Sequence, residues 1–216
     1  MSPTPACRVS LDAAELEFMR DGVRIFGPLS FALVGGDLLA IGGPNGAGKT
    51  SLLNVLAGLL IQSAGSLRFN SQDMPSDAIP SSNRATGVAL LGHLNGLKLD
   101  LSPRANLRFR DALCAGTNGD SIDDDLADVG LAGLEDVPMR GLSAGQRRRV
   151  AIAALVRNPA MLWLLDEPFA NLDADGRTLV AGAIARQRQR GGIVVMSTHG
   201  ADALPADARH LALAAV

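Results

Sequence analysis

Tyrosine is absent from this chain, and aromatic residues of all kinds make up only 3% of it. Hydrophobic residues nevertheless supply 47%, so any core must be mainly aliphatic. Cysteine is almost as scarce. Cys7 and Cys114 stand far apart and no C-x-x-C occurs, which argues against zinc and against a disulfide framework, and suits a reducing cytosol. Charge of one sign is also missing. With 20 Lys and Arg against 22 Asp and Glu, the formal net charge is −2, which gives no electrostatic case for a nucleic-acid partner. Long apolar runs are lacking too. The most apolar segment, Leu29 to Ile41, is broken by Gly35-Gly36-Asp37 and falls short of the roughly 18 to 20 residues of a membrane span. Work at a membrane would therefore be as a peripheral subunit. Residues 1–18 carry Arg8, Asp12, Glu15 and Glu17 where a signal peptide needs an apolar region, so none is expected. No internal repeat is visible.

The 216 residues suit one domain with a lobe inserted. Its organising stretch is Gly43-Pro44-Asn45-Gly46-Ala47-Gly48-Lys49-Thr50, which fits G-x-x-x-x-G-K-[ST] at every fixed position. The apolar run Leu38–Ile41 before it reads as a buried strand. Leu52, Leu53, Leu56, Leu59 and Leu60 after it lie at helical spacing. Strand, glycine loop and helix N-terminus together form an anion cradle of backbone N–H groups. In such a cradle Lys49 reaches the β- and γ-phosphates, and the Thr50 hydroxyl ligates magnesium. Ser51 belongs to the same candidate site.

Along the chain, residues 1–10 read as a loose tail. Leu16–Met19 and Leu29–Leu33 read as short strands with a turn at Gly22, and Gly65–Phe69 as a further strand. Residues 70–84 read as a loop, and Val88–Leu91 as a buried strand running into Gly92-His93. Ser102-Pro103 predicts a helix start, as does Ser121 with the acid run Asp123-Asp124-Asp125, taken as a solvated helix end. Leu142-Ser143-Ala144-Gly145-Gln146 opens another helix, which ends by Pro159; Arg147, Arg148 and Arg149 on it are expected to face solvent. Met161–Leu165 is then a buried strand that delivers Asp166 and Glu167 at its C-terminal end, where open α/β sheets place their ligands. Two carboxylates there are costly without a ligand or partners. Asp166 is positioned to hold magnesium with Thr50, in its own case through water, and Glu167 to orient or deprotonate an attacking water. A helix over 174–190 and a strand over Ile193–Met196 follow, the strand running into Ser197-Thr198-His199. Ser143 and Gly145, at a helix start, make a second anion site. The expected fold is α/β: a central, mostly parallel sheet, an N-terminal antiparallel part, and a helical lobe over about 93–147 between core segments of about 1–92 and 148–216.

The order Gly43–Thr50, Leu142–Gln146, Met161–Glu167, Asn171-Leu172-Asp173 and His199 resembles the ATP-binding subunit of ABC transporters over almost the whole chain. The Leu-Ser-x-Gly-Gln signature, about 20 residues before Asp166, and a histidine about 33 residues after it are the specific features. The finer pattern is similar to the ATP-binding subunit of the haem exporter of cytochrome c maturation, the Ccm system. Gly92-His93 with Gly96-Leu97-Lys98, Leu142–Val150 and Leu164–Phe169 carry that likeness. The resemblance implies a P-loop ATPase using ATP and magnesium at the cytoplasmic face of the inner membrane, together with integral membrane subunits and a second ATP-binding copy. It implies that Ser143, Gly145 and Gln146 close on ATP held by that copy, that Asp173 lies near the shared interface, and that His199 contacts the γ-phosphate. The sequence departs from the class in three places. His93 stands where glutamine is usual, Ala144 where glycine is usual, and no aromatic lies at Asp21-Gly22 to stack on adenine; Phe18 and Phe26 are the ones near. His93 reads as a polar link between the nucleotide site and a membrane partner, or alternatively as a haem ligand. An exporter ATPase for a lipid or drug, and a non-transport ABC ATPase, are the other readings.

Overall fold

A computed structural model describes residues 9–71, 87–113, 121–198 and 204–214. An antiparallel sheet of order β2-β1-β4 is formed by β1 (Val9–Arg20), β2 (Val23–Val34) and β4 (Ala64–Ser71). A second sheet of order β5-β6-β7-β3-β8 is formed by β3 (Leu38–Gly42), β5 (Val88–Leu91), β6 (Leu162–Leu165), β7 (Ile193–Ser197) and β8 (Arg209–Ala212), and all its described pairings are parallel. Among the described residues the α-helices are α1 (Lys49–Leu56), α2 (Pro103–Leu113), α3 (Ile122–Asp128), α4 (Ala144–Arg157) and α5 (Ala174–Gln189).

The parallel strands are nearly all apolar because both their faces are covered. Side chains alternate across a strand, so Leu162, Leu164, Ile193 and Val195 pack with α1 and the antiparallel sheet. Trp163, Leu165, Val194 and Met196 pack on the other face with Ala151, Ile152 and Leu155 of α4 and Val180 and Ile184 of α5. A separate cluster of Leu107, Leu126, Leu131, Met139, Val150 and Ala154 holds the helical segment together. Helix α4 thus contributes one face to the sheet and another to the helical segment, and the expected boundary near 147 falls inside it.

Several expectations change. The first two strands are each 12 residues long rather than four or five. Register shifts between Ala13 and Leu16, and again around Phe18, break the alternation that marks a strand in sequence. At the first shift Glu15 adopts φ 51°, and its N–H donates to Ser30 Oγ at 2.9 Å while that hydroxyl donates to Glu15 Oε1 at 2.8 Å. Strand β8 was not expected, and exposed His210 lies within it. Asn70 and Ser71 belong to β4, while residues 72–86 lie outside the described set. The acid run is not simply a solvated end. Asp123 pairs with Arg104, and Asp125 pairs with buried Arg157, which also donates to Asp111 at 2.7 Å, tying α2, α3 and α4 together.

Candidate active site

Parallel pairing brings the C-terminal ends of β3, β5, β6 and β7 to one edge of the sheet. The phosphate-loop sequence leaves β3 there and enters α1 at Lys49. Gly43, Gly46 and Gly48 adopt φ of 137°, 83° and 91°, a left-handed region that side chains rarely enter. At Gly43 an added Cβ would also lie 2.4 Å from the Leu213 carbonyl oxygen, just past β8. Lys49 is buried, and its ammonium donates to Gly43 O at 2.6 Å and Pro44 O at 3.0 Å, closing the loop over the helix N-terminus. No acidic residue occupies the first turn of α1 to compete for that positive end.

Asp166 follows β6 and is 4% exposed. Its Oδ2 accepts from Thr50 Oγ1 at 2.8 Å, and its Oδ1 from Ser197 Oγ at 2.6 Å. Ser197, at the end of β7 and fully buried, also accepts the Glu167 N–H at 2.9 Å. Glu167 has φ 46°, so its backbone is turned at the strand end and held from β7. A cavity of about 360 Å³ is lined by Pro44, Asn45, Gly46, Lys49, Thr50, Ser51 and Glu167, with Arg20 and Ile25 beside them. Phe18 and Phe26 do not line it. They are buried, with ring centroids 5.9 Å apart, and serve the core. Ala47 is buried beneath the loop.

A second recess of about 190 Å³ adjoins the same carboxylates. His93 and Asn95 line one side, Ala144, Arg147 and Arg148 another, and Asp166, Glu167 and Asn171 the rest. His93 and Glu167 both line this recess. The expectation that Arg147–Arg149 form a solvated face fails at two of the three. Arg148 is 5% exposed, and it donates to Gly92 O, Asn95 Oδ1, Asp166 O and Glu167 O at 2.9–3.1 Å. Burial lowers the pKa of its guanidinium from the ordinary value, while the Asp166 and Glu167 charges oppose that shift. Arg149 donates to Asp173 at 2.7 Å. Helical spacing could have found Arg148, since it shares a stripe with Ala151, Ile152 and Leu155 at i+3, i+4 and i+7.

Ser143 caps α4 in a reciprocal box: Gln146 N–H donates to Ser143 Oγ at 3.1 Å, and Ser143 N–H to Gln146 Oε1 at 2.8 Å. Gly145 lies so near the turn after β6 that an added Cβ would stand 3.2 Å from Asn171 O. Asp173 caps α5 by accepting the Gly176 N–H at 2.9 Å. That bond, followed by the one from Arg149, lowers its carboxyl pKa. His199 lies outside the described residues.

A family model described as ABC transporter matches residues 26–170. The chain belongs to the ABC transporter family. It is therefore an ATP-binding chain of a class whose ATP hydrolysis is coupled to transport, working with membrane partners. The cytochrome c biogenesis ATP-binding export protein CcmA of Xanthomonas axonopodis pv. citri is 47% identical over 195 residues, covering 90% of this chain and 89% of the relative. CcmA of Methylococcus capsulatus is 43% identical over 215 residues, covering 99% and 100%. Among solved structures, a protein of Pyrococcus furiosus assigned as an ABC transporter ATP-binding protein superposes with a TM-score of 0.78 at 22% identity, covering 94% of this chain and 97% of the other, which supports the fold. No described helix is long and apolar enough to cross a membrane.

Loss of the Ser197 hydroxyl removes a hydrogen bond from two groups at once, Asp166 Oδ1 and the Glu167 N–H. Ser197→Ala should destabilise the nucleotide-free protein by about 3 kcal/mol, each unsatisfied buried group costing about 1 to 3. Urea unfolding measures this. A change below about 0.5 kcal/mol would mean that neither group depends on the hydroxyl.

Proposed function

We propose that this chain is the ATP-hydrolysing subunit of an ABC export complex in c-type cytochrome biogenesis, with haem as the cargo. The cytochrome reading rests on relatives named for that process, and the cargo on the Ccm-like motifs. The catalytic reading rests on one observation: Asp166 is bonded to Thr50 of the phosphate loop while Glu167, one residue on, lines the loop's cavity. Residues 43–51 bind the phosphates through loop amides and the Lys49 ammonium. Thr50 and Asp166 supply hard oxygens 2.8 Å apart, a donor set that fits magnesium, which takes one or two protein oxygens alongside phosphate and water. When bound, the ion neutralises phosphate charge. Glu167 orients the attacking water and accepts its proton. His93, across the recess, links this site to the membrane subunits, and His199 senses the γ-phosphate.

The reading further gives the chain a second copy as partner, with Ser143, Gly145 and Gln146 serving the ATP held by that copy and Asp173 near the interface. The assembly sits peripherally on the cytoplasmic face of the inner membrane against integral membrane subunits. The core spans about 1–92 and 148–216, and the lobe about 93–147.

Glu167→Gln should keep ATP binding and lose most turnover. In cells it should abolish c-type cytochrome, as should His93→Ala, whereas His93→Gln keeps it because glutamine can still hydrogen-bond. The measurements are phosphate release and cytochrome c yield at equal expression. Wild-type turnover in Glu167→Gln would assign the water to another group, and cytochrome loss in His93→Gln would contradict the link.

Shared sites make a separate claim. Lys49→Ala and Ser143→Arg should each be inactive alone. An equimolar mixture with exchanging subunits should recover part of the activity, because one mixed site is intact. No recovery despite measured exchange would count against sites built from two copies.

A further inference from the structure

We propose that Arg148 is a positioning residue that ties the placement of α4 and of the loop after β5 to the aim of Glu167. The inference rests on the reading of Glu167 as the group that handles water. One guanidinium spans three elements. It rises from α4, the helix capped by Ser143. Its Nη1 donates to Gly92 O at 3.0 Å and Asn95 Oδ1 at 2.9 Å, on either side of His93. Its Nη2 donates to Asp166 O at 3.1 Å and Glu167 O at 3.0 Å.

The consequence falls on Glu167. Its backbone sits at φ 46°, a conformation that needs outside support. Its N–H is held by Ser197 from β7 and its carbonyl by Arg148 from α4. The backbone from which its side chain springs is therefore held from β7 on one side and from α4 on the other. A displacement of α4, or of the loop bearing His93, must move the second support or break it.

The chemistry of the contact argues for a purpose beyond packing. Arg148 is 5% exposed, and its four recorded acceptors are three carbonyls and an amide oxygen rather than carboxylates. Its Nε is buried with no hydrogen-bond partner among the described residues. Burying a cation is unfavourable compared with an apolar side chain of similar volume, and the nearby Asp166 and Glu167 charges oppose that cost without cancelling it. The planar fork is the group that can serve two pairs of acceptors on separate elements at once, which neither methionine nor a single ammonium can do.

The test compares Arg148→Met, Arg148→Gln and Arg148→Lys, with ATPase kinetics, nucleotide affinity and thermal unfolding measured on each. Loss of aim predicts that kcat falls roughly tenfold or more in Arg148→Met and Arg148→Gln while ATP affinity stays within about twofold, with Arg148→Lys intermediate. Single-turnover rates then compare Glu167→Gln with the double variant Arg148→Met/Glu167→Gln. If Arg148 acts through Glu167, the double variant is no slower than Glu167→Gln alone. Additive losses in the double variant, wild-type kcat in the single variants, or a kcat loss that only follows the folded fraction in all three would each overturn the proposal. Substantial turnover in Glu167→Gln itself would instead overturn the reading of the site on which the proposal rests.

Discussion

Asp166 is a carboxylate buried almost completely at the end of a strand, and the surrounding structure is arranged to make that tolerable. An ionised group in such a place needs its lone pairs satisfied, and two hydroxyls do so: Thr50 from the start of α1 and Ser197 from the end of β7. These bonds bring the ends of the central strands β6, β7 and β3 into one polar cluster at the sheet edge. The sheet order follows the same need. Strand β7 lies between β6 and β3, so Ser197 can reach the carboxylate on one side while Ile41, its partner in β3, leads into the phosphate loop on the other.

Two recesses adjoin that cluster. The larger holds the loop amides and Lys49 and meets Glu167 at its edge. The smaller joins His93, Arg148 and the start of α4 to the same carboxylates. Glu167 lines both, so it stands where the two recesses meet. Arg149 and Asp173 extend the connection by pairing α4 with the N-cap of α5.

Much of this was legible in the sequence because the informative signals are local. The phosphate loop is one contiguous pattern whose backbone needs glycine at fixed positions. Asp166-Glu167 follows an apolar run that can only be a buried strand. The helix start at Leu142–Gln146 is likewise a short-range signal. What was missed depends on tertiary context. Arg148 reads as part of a basic run, and only the helical stripe it shares with Ala151, Ile152 and Leu155 marks it as buried. Ser197 ends an apolar strand and carries no sign that it will bridge two carboxylate-bearing residues of another strand. The acid run at 123–125 looks solvated until Arg104 and Arg157 are brought to it from other helices. The full length of β1 and β2 was hidden by the bulge at Glu15, where the two-residue period slips and sequence alternation stops reporting the strand.

The central claim is that Thr50 and Asp166 place a divalent cation on the phosphates of ATP. Manganese can stand in for magnesium in an oxygen-donor site, and its electron paramagnetic resonance reports both binding and phosphorus neighbours. Titrating the wild-type chain with Mn2+ and ATP should give a bound manganese with phosphorus couplings, and Asp166→Asn should lose most of that bound species at the same ATP occupancy. Equal manganese binding in Asp166→Asn, or bound manganese without phosphorus coupling in the wild type, would contradict the account.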